Sequence, residues 1–252
     1  MKANHRTALA LALVLALSGR LRAEELLVFA AASLTDALGE IGRAYESETG
    51  HRVVFNFGGS NDLARQIRAG APADLFFSAD REQVAALVHG GLVRADDSVD
   101  VLSNVLVVVV PATAAAPDVS APPDLLRLRR IALANPEAVP AGVYARKWLE
   151  SLGLWNSLRD RVVPTLDVRA ALAAVASGSV DAAIVYKTDA AVSPRVRTAL
   201  EVPREAGPSI VYCLAPIGSS RQAAASSLIR FLLSFRAREV YRRRGFVVIA
   251  PE

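Results

Sequence analysis

The chain has 252 residues and a formal net charge of +4, but the excess of basic residues lies at its N-terminus. Residues 1–23 contain four basic residues and no acid, so the rest of the chain carries 25 basic and 25 acidic residues. A neutral chain gives no support to nucleic-acid binding or to attachment to a membrane surface. Its one cysteine, Cys213, cannot form an internal disulfide, so stability must come from burial in one large or two modest domains.

Residues 1–23 are predicted to be a cleaved signal peptide. A basic start precedes an apolar run from Ala8 to Leu17, which is too short to span a bilayer. Cleavage is expected after Ala23, although Leu21 stands where a small residue is usual. Because no cysteine lies near this position to carry a lipid anchor, we expect a soluble protein exported to the periplasm.

Strands and helices alternate in the first part of the remaining chain. An apolar strand starting at Leu27 runs into a helix at Ser33, and Asp36 follows three residues later, as in a capping box with Ser33 as the N-cap. Further strands are predicted at 53–57 and 74–78, and helices at 34–49, 63–69 and 81–88. This alternation indicates a mostly parallel sheet covered by helices.

A second series of the same kind follows a continuous apolar strand predicted at 103–110, with a boundary expected near Asn104. A surface loop rich in Ala and Pro is expected at 112–123. Strands are then predicted at 130–134, 161–164, 182–186 and 210–215, and helices at 141–152, 170–177 and 221–243. Pro140 at a helix start and Asp167 as an N-cap support two of these helices.

Several hydrogen-bond donors are predicted where strands or turns lead into helices. The helix starts are at Ser33, Ser60, Ala141 and Val168, and Tyr186 lies at a strand end. Unpaired backbone N–H groups at helix N-termini favour anions. Two of these residues precede the boundary and three follow it, and none is a carboxylate, which suits a tetrahedral dianion held between two lobes.

Six short sequence motifs resemble those of a known family. The motifs are AAASLT at 30–35, LARQI at 63–67, GAPADLF at 70–76, NPE at 135–137, VPAG at 139–142 and DVRAAL at 167–172. As a set, they resemble the periplasmic molybdate-binding proteins of ABC importers, over about residues 25–246. The resemblance implies an α/β, two-lobed type II periplasmic binding protein fold with a ligand cleft. Lobe 1 would comprise residues 24–104 and 210–252, and lobe 2 residues 105–209.

The resemblance also implies a role for each candidate residue. Hydroxyl and backbone N–H groups of Ser33 and Ser60, backbone N–H groups of Ala141 and Val168, and the phenol of Tyr186 would bind molybdate or tungstate. It implies a permease in the inner membrane as partner, with no cofactor and no metal cation, and we expect a monomer. The sequence departs from the family's pattern at two places: Asn135 stands where aspartate is expected, and the turn before Ser60 is rich in glycine. Neither difference removes one of these donors.

The residues alone do not identify the anion. Phosphate keeps a proton on much of its population at neutral pH, and a site selecting it would include an acceptor carboxylate, which none of the five residues supplies. Sulfate is fully ionised, as molybdate and tungstate are, and differs from them chiefly in size. The preference for molybdate therefore rests on the resemblance, and another oxyanion such as sulfate or thiosulfate stays as the alternative.

The sequence lends little support to other classes of function. A serine-dependent hydrolase needs a general base, but His51 and His89, the histidines beyond residue 23, lie at the start of a strand and the end of a helix. No residues have metal-ligand spacing, and an iron(III)-binding relative would need a tyrosine pair or acids in the cleft. A regulator's effector domain would begin with a DNA-binding segment rather than an export signal.

Overall fold

The computed structural model describes residues 23–113, 115–218 and 222–250, so all but Ala23 of the predicted signal peptide lies outside the described residues. The strands are β1 (Glu25–Ala31), β2 (Arg52–Gly58), β3 (Leu75–Ser78), β4 (Val99–Ser103), β5 (Leu106–Pro111), β6 (Ile131–Ala134), β7 (Val162–Thr165), β8 (Ala182–Tyr186), β9 (Val196–Glu201), β10 (Tyr212–Pro216) and β11 (Val247–Val248). The α-helices are α1 (Thr35–Thr49), α2 (Ser60–Arg68), α3 (Arg81–His89), α4 (Pro140–Ser151), α5 (Trp155–Leu158), α6 (Val168–Ala176), α7 (Lys187–Ala190), α8 (Gln222–Leu232) and α9 (Phe235–Arg243). Short 3₁₀ turns lie at Ala32–Leu34, Ala95–Asp97, Pro122–Arg127 and Arg159–Arg161.

These strands form two sheets. The first has the order β11-β4-β10-β3-β1-β2, and the second β7-β6-β8-β5-β9. In the first sheet β1 is parallel to β2 and β3, while β10 is antiparallel to β3 and β4. In the second sheet β6 is parallel to β7 and β8, while β5 is antiparallel to β8 and β9. The α/β class with two sheets is confirmed, but each sheet is mixed, because the strand that arrives from the other sheet runs antiparallel to its neighbours.

The prediction of one strand at 103–110 is wrong in one respect, because this segment contains the junction between two strands. Strand β4 ends at Ser103 in the first sheet, and β5 begins at Leu106 in the second. Between them the buried side chain of Asn104 accepts a hydrogen bond from the Val105 N–H at 2.9 Å. The chain returns to the first sheet between β9 and β10. We propose that the lobes are residues 24–104 with 210–252 and residues 105–209.

The C-terminal helix was also predicted incorrectly. The segment predicted as one helix at 221–243 contains two, α8 and α9. Ser234 separates them, because its hydroxyl accepts the Ala237 N–H at 3.3 Å and caps the second helix. Strands β9 and β11 were not predicted: β9 lies at a sheet edge and has mostly exposed or half-buried residues, and β11 has only two residues.

The core confirms several local predictions. From Leu106 to Val110 strand β5 is at most 1% exposed, as expected for a strand buried on both faces. Pro140 is the first residue of α4, and Asp167 caps α6 by accepting the Ala170 N–H at 2.9 Å. Within the described part of the chain, no helix combines the length and the apolar character needed to cross a membrane.

Candidate functional site

A small cavity lies where the ends of strands and the starts of helices from the two sheets meet. The space free of atoms there, including the part that is open to solvent, is about 220 Å³. Its lining residues are Ala31, Ala32, Ser33, Gly58, Gly59, Ser60, Ala79, Val139, Pro140, Ala141, Asp167, Val168 and Tyr186. All five residues singled out in the sequence are among them, although they span more than 150 positions of the chain.

Ser60 contributes a buried hydroxyl from the first residue of α2. Its Oγ accepts a hydrogen bond from the Ala79 N–H at 3.0 Å, so the hydroxyl hydrogen is not needed for that contact and can be donated to a ligand. Gly59, just before it, lies close to the backbone of the connection between β7 and α6 in the second sheet. A Cβ at Gly59 would lie 3.0 Å from the Leu166 carbonyl oxygen, which explains why this turn has no side chain.

Ser33 does not cap a helix, so the predicted capping box is wrong. It lies in the 3₁₀ turn Ala32–Leu34, and α1 begins only at Thr35, with no side-chain cap. The Ser33 Oγ lies 2.9 Å from the Tyr212 Oη, and Asp36 forms an ion pair with Arg169 at 2.6 Å. Both side chains therefore have partners far away in sequence, and these partners take the place of the local cap.

The second sheet contributes two helix N-termini. Ala141 is the second residue of α4 and Val168 the first residue of α6, where N–H groups have no acceptor inside the helix and the helix dipole is positive. Both residues are buried at the cavity. Asp167 also lines the cavity, and its carboxylate accepts the Ala170 N–H at the start of α6.

Tyr186 ends β8 and is 1% exposed. Its hydroxyl is buried, and among the residues that the structure describes it has no hydrogen-bond partner. Burial raises the pKa of Tyr186 well above its ordinary value, so the hydroxyl is protonated at neutral pH and is a donor. A buried hydroxyl without a partner is costly, and Tyr186 is one of the residues that line the cavity.

An ion-paired triad lies beside the cavity and joins the two sheets' helices. Arg169 of α6 pairs with Asp36 of α1 and with the fully buried Asp189 of α7. Burial raises the pKa of Asp189 to about 6, against the opposing effect of the Arg169 guanidinium. The Arg169–Asp36 ion pair therefore joins the two sides of the cavity. Arg169 also compensates the charge of the buried Asp189 carboxylate.

Sheets that enclose a cavity lined by hydrogen-bond donors, with the chain passing twice between them, define a two-lobed binding protein. The sequence profile of the bacterial extracellular solute-binding proteins matches residues 26–247. The chain belongs to this family.

Named relatives agree with that assignment. The chain is 36% identical over 244 residues to the molybdate-binding protein ModA of Escherichia coli (94% of this chain, 95% of the relative). It is 39% identical over 223 residues to the putative ABC transporter substrate-binding lipoprotein YvgL of Bacillus subtilis (88% and 85%). A solved substrate-binding domain of a putative molybdenum ABC transporter from Clostridium difficile has 32% identity and a TM-score of 0.69, covering 90% of this chain and all of that one. The resemblance indicated by the motifs is confirmed.

Proposed function

We propose that this protein captures molybdate as the substrate-binding component of an ABC importer. One observation carries the proposal: the buried hydroxyl of Tyr186, which has no hydrogen-bond partner among the described residues, shares a cavity with two serine hydroxyls and two helix N-termini. All of these groups donate hydrogen bonds, and a fully ionised oxyanion offers only acceptors. The 36% identity to the E. coli molybdate-binding protein supports molybdate as that oxyanion.

The number of donors suits tight binding. The five residues offer about seven donors, each worth about 1.5–3 kcal/mol toward a charged acceptor, for a gross gain on the order of 10–20 kcal/mol. The costs of ordering and desolvation offset part of this gain and leave a net free energy of binding of about −8 to −12 kcal/mol. That range corresponds to dissociation constants from about micromolar to nanomolar.

Tungstate has the charge and shape of molybdate and is proposed to bind as well. The protein is proposed to be a monomer that residues 1–23 direct to the periplasm as a cleaved signal peptide. There it is proposed to deliver its anion to an inner-membrane permease. It needs no cofactor.

We propose binding without catalysis. The two histidines of the described residues have other contacts: His51 Nδ1 accepts the Glu24 N–H at 3.1 Å, and His89 Nδ1 lies 3.1 Å from the Ala85 carbonyl oxygen. Neither histidine lines the cavity with Ser33 and Ser60. Within the described part of the chain, these serines therefore have no neighbouring imidazole to activate them as nucleophiles.

Isothermal titration calorimetry on residues 24–252 tests the choice of ligand. Molybdate and tungstate are expected to bind tightly with one-to-one stoichiometry, and sulfate and phosphate weakly or not at all, because sulfate is smaller and phosphate carries a proton. Sulfate binding as tight as that of molybdate would move the assignment to the alternative oxyanion. Binding of none of the four would refute the oxyanion proposal.

Ser33→Ala and Ser60→Ala are each expected to weaken molybdate binding by about 1–3 kcal/mol, because each removes a donor to a charged acceptor. Calorimetry measures the loss. Ser177→Ala is the control, since Ser177 follows α6, is exposed, and its hydroxyl donates to the Ala174 carbonyl away from the cavity. Unchanged affinity in both cavity variants would rule out this placement of the site.

Tyr186→Phe separates a ligand contact from a structural one. Its hydroxyl has no partner among the described residues, so its removal should not lower the midpoint of thermal unfolding, while molybdate affinity falls by about 1–3 kcal/mol. Tyr241→Phe is a matched control: Tyr241 is equally buried and its hydroxyl is equally unpartnered, but it does not line the cavity. Equal affinities for the two variants would show that Tyr186 does not bind the anion.

A further inference from the structure

Three buried side chains form a hydrogen-bonded series that leads from the connection between the sheets to the cavity. Tyr212 Oη lies 2.9 Å from Ser33 Oγ and 3.2 Å from Asn104 Nδ2. All three residues are at most 4% exposed. Tyr212 and Asn104 are not among the residues that line the cavity, so they reach a ligand only through Ser33.

The donors and acceptors available to each group favour one direction for these hydrogen bonds. The Val105 N–H donates to Asn104 Oδ1 at 2.9 Å, which sets the orientation of the amide. Asn104 Nδ2 then gives one hydrogen to Thr188 Oγ1, at 2.9 Å, and one to Tyr212 Oη. Tyr212 is therefore an acceptor from Asn104, and its own hydrogen is donated to Ser33. The reverse direction would leave a buried tyrosine hydrogen with no acceptor among the described residues, which is costly.

We propose that Tyr212 is a positioning residue of the oxyanion site, which holds the Ser33 hydroxyl as a donor into the cavity. This inference rests on the proposed function. With a lone pair of Ser33 engaged by Tyr212, the Ser33 hydrogen is left for the ligand, and the series from Asn104 polarises it. Asn104 orients Tyr212 in turn.

Ser60 shows the same arrangement with a backbone donor. Its Oγ accepts the Ala79 N–H at 3.0 Å, so both serine hydroxyls of the cavity receive one hydrogen bond from the protein and keep their own hydrogen for the ligand. The arrangement directs both hydroxyl hydrogens toward acceptor oxygens of an anion, and Tyr212 supplies the part that depends on a side chain.

A double-mutant cycle tests this role. Molybdate affinity is measured by calorimetry for the unmodified protein, Tyr212→Phe, Ser33→Ala and the double variant. Tyr212→Phe is expected to weaken binding about threefold to tenfold when Ser33 is present, and to have no further effect when residue 33 is alanine. A role in packing alone would lower affinity equally in both backgrounds.

Tyr241→Phe is the control for loss of a buried phenol. Tyr212 and Tyr241 are both fully buried and both rings lie against Phe246, with centroid distances of 5.5 and 6.3 Å. Only Tyr212 contacts Ser33. Unchanged affinity in Tyr212→Phe, or the same loss in both Ser33 backgrounds, overturns the positioning role while leaving the proposed function intact.

Failure of the proposed function has a different signature, since the unmodified protein would then not bind molybdate. The cycle is in that case run with whichever of tungstate, sulfate and phosphate binds. The same non-additivity between residues 33 and 212 is expected for that anion. If no anion binds, both the function and the positioning role are refuted.

Discussion

Gly142→Ala is expected to lower the free energy of unfolding by about 3 kcal/mol or more, although it adds one methyl group to a helix. A Cβ at Gly142 would lie 1.9 Å from the Ala134 carbonyl oxygen and 2.7 Å from the Asn135 carbonyl oxygen. Both atoms are backbone at the end of β6, so neither can rotate away as a side chain would. Helix α4 must move off the sheet to accommodate the methyl group.

This displacement reaches the proposed site directly, because Ala141 is the neighbouring residue and lines the cavity. Molybdate affinity should therefore fall together with stability. Gly39→Ala is the matched control, since Gly39 is also inside a helix and its nearest contact would be the Arg43 guanidinium at 3.7 Å. That variant should gain about 0.5–1 kcal/mol from helix propensity. Urea denaturation and calorimetry measure both effects, and a stable Gly142→Ala variant with normal affinity would contradict the close approach of α4 to β6.

Arg169→Leu is expected to cost about 3 kcal/mol of stability at neutral pH, at the lower end for breaking a buried ion pair, since the arginine side chain is 25% exposed. The substitution leaves the carboxylate of Asp189 fully buried without its cation. Asp36→Asn is the control: it removes the negative charge that pairs α1 with Arg169 of α6 but keeps Asp189 paired with Arg169. Its loss of stability should be about 1 kcal/mol or less, as for partly exposed pairs.

The pH dependence gives the Arg169→Leu variant a distinctive signature. Burial already raises the pKa of Asp189 from 3.8 to about 6. A raised carboxyl pKa means that the neutral form is favoured in the folded state, so its contribution is complete below about pH 4 and is lost as the pH rises through about 6. Loss of Arg169 raises this pKa further. The destabilisation should therefore be larger at about pH 8 than at about pH 5, as measured by urea denaturation, and an effect independent of pH would exclude Asp189 as its source.

The parts of the fold that were predicted from sequence depend on local signals. The starts of α4 and α6 were marked by Pro140 and Asp167, and the glycines at 58 and 59 marked the turn before Ser60. Because these signals lie within a few residues of the elements they set, chain order was enough to find Ala141, Val168 and Ser60. That these residues line one cavity with Tyr186 is a property of the fold.

The parts that were missed depend on contacts between distant residues. Ser33 and Tyr212 are 179 positions apart, and Arg169 and Asp36 are 133 apart, so no local pattern indicates either pair. A boundary was expected near Asn104, but the strand break there was missed, because the predicted strand was started at Ser103 and runs into the apolar residues that follow Asn104. Only the pairing of β10 with β3 and β4 in the first sheet brings Tyr212 to Ser33.

The most direct test of the proposed site is a crystal of residues 24–252 grown with molybdate, with diffraction recorded on both sides of the molybdenum absorption edge. The proposal predicts one anomalous peak in the cavity, within hydrogen-bond reach of the Ser33, Ser60 and Tyr186 hydroxyls. A peak elsewhere on the protein, with this cavity empty, would contradict it.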